Sequence, residues 1–97
     1  MISPEGFKKQ VLRLAKEINI EPKEIHLRDM TRKWASCSAK GRLTFSTKLL
    51  KKPPKVRNKI IIHEILHLKY PNHGKMFKTL LNAYFEKNLK NKQKNKV

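Results

Sequence analysis

His63, Glu64 and His67 stand in the pattern H-E-x-x-H inside the most apolar segment of the chain, Ile60 to Leu68. Four residues along an α-helix make one turn plus about 40°, so the two imidazoles project from one face, close enough to share a metal ion. Glu64 lies one step round the helix. From there its carboxylate reaches a metal-activated water as general base without becoming a ligand. With 4 His in 97 residues, about 0.01 chance occurrences of the pattern are expected.

A third histidine, His73, follows six positions after His67 and just beyond Pro71, where the chain must leave the helix and can turn back toward the pair. Three neutral imidazoles leave a fourth tetrahedral position for water, the open arrangement of a catalytic zinc site. The expected cofactor is one Zn2+ per chain, although three imidazoles also accept nickel, cobalt or copper. A closed structural site would need Cys37, the only cysteine, as fourth ligand. A lone cysteine on a short strand is more often a small buried hydrophobe.

Periodicity supplies the elements that must position these groups. Ser3 caps a first helix, Pro4 suits its first position, and Phe7, Val11, Leu14 and Ile18 form one stripe that ends before Pro22. Three short strands are predicted at Glu24 to Met30, Arg32 to Cys37 and Arg42 to Ser46, with a turn at Lys40-Gly41. Pro53-Pro54 starts a second helix, Lys55 to Lys69, apolar at nearly every azimuth and therefore buried. A third runs from about Gly74 to Lys87 with Met76, Phe77, Leu80, Leu81, Tyr84 and Phe85 as its core stripe. These elements make an α+β domain with a small, mostly antiparallel sheet packed against the buried H-E-x-x-H helix and flanking helices. Residues 1–87 are expected to form one minimal catalytic domain, and 88–97, rich in Lys, Asn and Gln, a basic disordered tail.

At 97 residues the chain has room for one small domain and no second one. A single cysteine excludes an internal disulfide, and no apolar run approaches the roughly 18 residues of a membrane span. The N-terminus lacks the pattern of a secretory signal, so the expected compartment is the cytoplasm. The formal net charge is +17, and no acidic residue occurs between Asp29 and Glu64. A basic face of this kind attracts nucleic acid or other polyanions without sequence preference. The excess of Lys and Asn is also what AT-rich coding produces, so the charge alone names no partner.

The segment Thr31 to Ser38 with Trp34, Ser36 and Cys37, then Gly41, Leu43, Pro53-Pro54, His63-Glu64-Ile65-Leu66-His67-Leu68, Asn72-His73 and Phe77 resembles the YgjP-like family of zinc-dependent hydrolases with a zincin-type metallopeptidase fold. The resemblance runs from about residue 25 to residue 85. It implies that His63, His67 and His73 are the metal ligands and Glu64 the catalytic carboxylate. Ala35 replaces the family's usual glycine, and the strand-rich N-terminal extension of longer members has no counterpart, so substrate selection housed there is expected to be missing or supplied by something else. The histidine spacing is also that of metzincins, but Tyr70 stands where their turn glycine belongs and no methionine turn follows. A weaker similarity is to SprT-like proteases, which combine a related zinc helix with DNA association.

The resulting reading is a zinc-dependent hydrolase, a metallopeptidase acting on a peptide or protein substrate. Arg32, Trp34, Ser36, Arg42 and Phe45 are the candidate substrate-binding residues, Trp34 by the family motif where the sequence alone reads it as core, and the strand Arg42 to Ser46 is either an ordinary sheet strand or the partner of an extended peptide. Two other readings use the same residues. A basic cleft with an activated water could cleave a nucleotide phosphoanhydride, or the basic face could bind nucleic acid around a structural or vestigial metal. A partner subunit would be needed if the short chain is only a catalytic core.

Overall fold

The computed structural model of the protein describes residues 1–94. Ser3 accepts a hydrogen bond from the Gly6 N–H at 3.0 Å and Pro4 takes the first helical position, opening α1 (Pro4–Ile18). Asn19, in the left-handed conformation at φ 66°, closes it. Three strands follow, β1 (Glu24–Arg28), β2 (Ala35–Cys37) and β3 (Arg42–Ser46), then a short 3-10 helix at Thr47–Lys51, α2 (Pro54–His67) and α3 (Lys75–Lys94).

The sheet order is β1-β3-β2. β2 and β3 form an antiparallel hairpin with Ala35 opposite Phe45 and Cys37 opposite Leu43. Its turn closes through the Gly41 N–H donating to Ser38 O at 3.1 Å, with Gly41 at φ 93°, where a side chain would be strained and would meet Lys23. β1 runs parallel to β3, so the sheet is mixed where a mostly antiparallel one was expected. The cause is β3's place in the centre. The tight hairpin fixes β2 on one side of it, and β1 is left to pair along the other, where Gly41 O accepts from the Lys23 N–H at 2.9 Å.

One core joins the layers: Phe7, Val11 and Leu14 from α1, Leu43 and Phe45 from β3, Leu49, then Ile61, Ile62, Ile65 and Leu66 from α2 and Phe77 from α3. Each such side chain contributes about 1.5–3 kcal/mol on burial. α2 packs against α1, β2 and α3 at once, as its all-round apolar sequence requires. Its buried polar residues are paired: Arg57 donates to Gln10 Oε1 at 3.1 Å, and Asn58 Oδ1 accepts from Gln10 Nε2. These bonds lock α1 to α2 upstream of the histidines.

Two further expectations are corrected. Met76 is 60% exposed and not part of the α3 core stripe, because Phe77 takes the inward position at 2%. α3 also continues past Lys87 to Lys94, since nothing after Gly74 breaks it and Leu, Lys, Asn and Gln are all compatible with helix. The remainder of the proposed tail, 95–97, lies outside the described residues.

Candidate metal centre and active site

α2 presents His63 and His67 one turn apart on a single face, with ring centroids 4.7 Å from each other. The helix then tightens, the Leu68 and Lys69 N–H groups donating three residues back to Ile65 O and Leu66 O, each at 3.1 Å, and Pro71, which has no N–H, turns the chain out. The six residues from His67 to His73 therefore form a sharp return. His73 comes back over the end of α2 so that its ring lies 4.5 Å from His67 and 5.1 Å from His63, centroid to centroid. One potential ligand nitrogen from each of the three lies within 4.8 Å of the others. Among the described residues this is the one group of three His, Cys, Asp or Glu side chains able to hold a metal ion.

The donor set fits such an ion. His63 Nδ1 lies 3.0 Å from Glu64 Oε2; the carboxylate accepts that N–H, which leaves the lone pair of His63 on Nε2. Burial, together with the neighbouring His63 and His73, pushes the His67 pKa below its ordinary value, against a smaller opposing pull from Glu64. A depressed pKa keeps the imidazole neutral, the form that binds metals. Beneath the cluster sits Phe77, its ring centroid 5.2, 4.7 and 4.8 Å from those of His63, His67 and His73. A single buried ring thus supports all three imidazoles from one side.

Glu64 is 8% exposed and borders two cavities. The one toward His67, about 450 Å³, is walled by Ser36, Cys37, Ser38, Leu68 and Pro71. The one toward His63, about 410 Å³, is walled by Trp34, Lys59, Ile60 and Leu81. Ala35 and Lys33 border both. β2 thus borders both cavities beside Glu64, and with β3 in the centre of the sheet one long edge of β2 pairs with no strand among the described residues.

The candidate substrate-binding residues divide. Trp34, 44% exposed, lines the His63-side cavity and carries Lys52 over its ring at 5.2 Å. Ser36 borders the other cavity, but strand alternation and its pairing with Thr44 turn its side chain to the sheet face opposite Leu43 and Phe45. Phe45 is a correction: it is fully buried and packs edge-on against Phe7, so its side chain belongs to the core. Arg42 points to β1, where it pairs with Glu24 at 3.1 Å. Arg32 is exposed and lines neither cavity. The strand expected to pair with substrate, Arg42 to Ser46, is central and already bonded on both sides. Sequence reasoning passed over Lys59, although it precedes His63 by one helical turn and so shares its face.

A sequence model of the YgjP-like family, metallopeptidase domain, matches residues 4–96. The chain belongs to the YgjP-like family. The family brings a metal-dependent peptidase as its general activity class, in keeping with three histidines able to bind an ion. A search of the curated proteins finds no match. Among solved structures, the metallopeptidase zymogen of Pyrococcus abyssi abylysin is similar, with a TM-score of 0.69 at 20% identity over 77% of this chain and 75% of that one. At that identity the likeness speaks for the fold, a zincin-like α+β arrangement that this YgjP-like chain shares. Among the described residues no helix is long and apolar enough to cross a membrane.

Proposed function

We propose that this YgjP-like protein is a zinc-dependent metallopeptidase in which His63, His67 and His73 hold the ion and Glu64 is the general base. The observation that carries the reading is the convergence of the three imidazoles beside a buried carboxylate and an open strand edge. A divalent ion held there supplies Lewis-acid polarisation of the scissile carbonyl and a water of lowered pKa. Glu64, oriented through Oε2 by the His63 N–H, has Oε1 left to take the proton of the attacking water and return it to the leaving amine.

The substrate backbone is placed by β2. The Ser46 N–H donates to Trp34 O and the Ser38 N–H to Arg42 O, so the antiparallel ladder turns residues 34, 36 and 38 toward β3. The N–H and C=O groups of Ala35 and Cys37 then face the open edge, where an extended peptide can add as a further strand in front of Glu64. This replaces β3 by β2 as the substrate strand. The cytoplasmic setting expected from the sequence belongs to the same reading.

Zinc-loaded protein incubated with a peptide library and, in parallel, with nucleoside triphosphates tests the assignment. Metal-dependent peptide cleavage supports it. Phosphate release without peptide cleavage would replace the peptidase with a phosphoanhydride hydrolase at the same site.

A further inference from the structure

Resting on that peptidase reading, we propose that the cavity on the His63 side of Glu64 selects an acidic side chain, glutamate in particular, in the residue next to the scissile bond. The two cavities flanking Glu64 differ in chemistry. The His67-side cavity shares Lys33, Ala35 and Glu64 with its neighbour and is otherwise walled by His67, Leu68, Pro71 and the small uncharged residues Ser36 to Ala39. The His63-side cavity has apolar walls, Trp34, Ile60 and Leu81, and two cationic members, Lys33 and Lys59.

Lys59 is held at that rim. It sits one turn before His63 on α2, and its ammonium lies 5.7 Å from the centroid of Phe85, drawn toward α3 by the ring face. Lys33, in the loop before β2, lies where the two cavities meet. Among the described residues neither lysine takes part in an ion pair. The lone carboxylate in the cavity wall is Glu64, whose Oε2 is occupied by His63. A side chain with two methylenes and a terminal carboxylate matches this lining: its stem lies on Trp34 and Ile60, and its charge meets two ammonium groups that lack a counter-ion. The chain's net charge of +17 draws acidic substrates to the protein as a whole.

Exposed ion pairs are worth about 0.2–1 kcal/mol each, so two lysines give about two- to thirtyfold selectivity for glutamate over glutamine, screened by salt. The experiment uses zinc-loaded enzyme and peptide pairs identical except for Glu or Gln beside the cleaved bond. Trp34 is the only tryptophan, so its fluorescence reports binding of the same peptides to the Glu64→Gln protein, independently of turnover. The expected result is a kcat/KM about two- to thirtyfold higher, and tighter binding, for the Glu peptide at low salt. Lys59→Glu should bring that ratio to one or below and raise cleavage of a Lys-containing peptide. Equal treatment of Glu and Gln, or a ratio unmoved by Lys59→Glu, overturns the acidic pocket and leaves the peptidase standing. If no peptide is cleaved by any metal-loaded form, the proposed function fails. The fluorescence titration then decides the pocket by itself: a Glu preference abolished by Lys59→Glu supports it, and no preference overturns it.

Discussion

His67 and His73 bring their Nε2 atoms to 2.7 Å from each other across the turn at Pro71. Two nitrogen lone pairs cannot face each other at that separation without repulsion, so in the metal-free protein one Nε2 carries a hydrogen and donates it to the other. The turn therefore brings together two groups that can share a metal ion once that hydrogen is lost and the nitrogens part to about 3.3 Å. Proline placement in the sequence thus has a direct electrostatic consequence at the site.

Replacing Glu64 by Gln should preserve the fold and the histidine cluster, since the amide oxygen can still accept from His63 Nδ1. Turnover should fall by about 10²–10⁴, the usual contribution of a general base. Parallel measurements of metal content and peptide cleavage check this. Hydrolysis retained in the variant would remove Glu64 from the chemistry.

Burial and the neighbouring histidines depress the His67 pKa below 6.5. Between the folded and unfolded values the unfolded chain binds more protons, so stability of the metal-free protein rises with pH in that window and falls on acidification below about 6.5. The carboxylate of Glu24, held below 4.5 by hydrogen bonds from His26 and Arg42, loses its contribution in a lower range and does not confuse the measurement. Thermal unfolding of metal-free protein between pH 5 and 7.5 should show the decline, and His67→Asn should flatten it. An unchanged slope in the variant would contradict this origin.

Phe77→Leu keeps the position apolar but removes the ring that touches all three imidazoles. The expected cost is about 1–2 kcal/mol in stability, accompanied by weaker metal retention against a competing chelator. Unchanged retention would show that the imidazoles do not need the ring beneath them.

Ala35→Pro removes an N–H that faces the open edge of β2 and leaves the bonds of Trp34 and Ser38 to β3 in place. Cleavage of long peptides should drop at least about tenfold, chiefly through KM, with metal content unaltered. Comparing peptide KM with zinc stoichiometry tests it. A normal KM would move substrate binding away from this strand.

Much of this arrangement was legible in the sequence. Helix periodicity and proline placement marked α1 and α2, and the spacing of His63 and His67 marked a pair of imidazoles that the fold brings together with His73. What the linear pattern does not carry is order across the sheet. Alternation placed Leu43 and Phe45 on a strand, but it does not say that β3 lies in the middle, and so it left substrate pairing open for a strand with no free edge. Phe45 was misread for the same reason: an aromatic near the motif can line a cleft or fill the core, and contact with Phe7 decides which. Met76 and Phe77 are adjacent apolar residues, of which the helix can bury one deeply; the packing of α3 on α2 selected Phe77. Lys59 had a readable signal in its four-residue offset from His63, masked by a basic interval in which every lysine looks alike.

The measurement that bears most directly on the central claim is metal content by plasma mass spectrometry, on untagged protein purified without chelator, with His67→Ala alongside. The account predicts about one zinc per chain in the native protein and little in the variant. Native protein that neither carries metal nor takes up added zinc would contradict it.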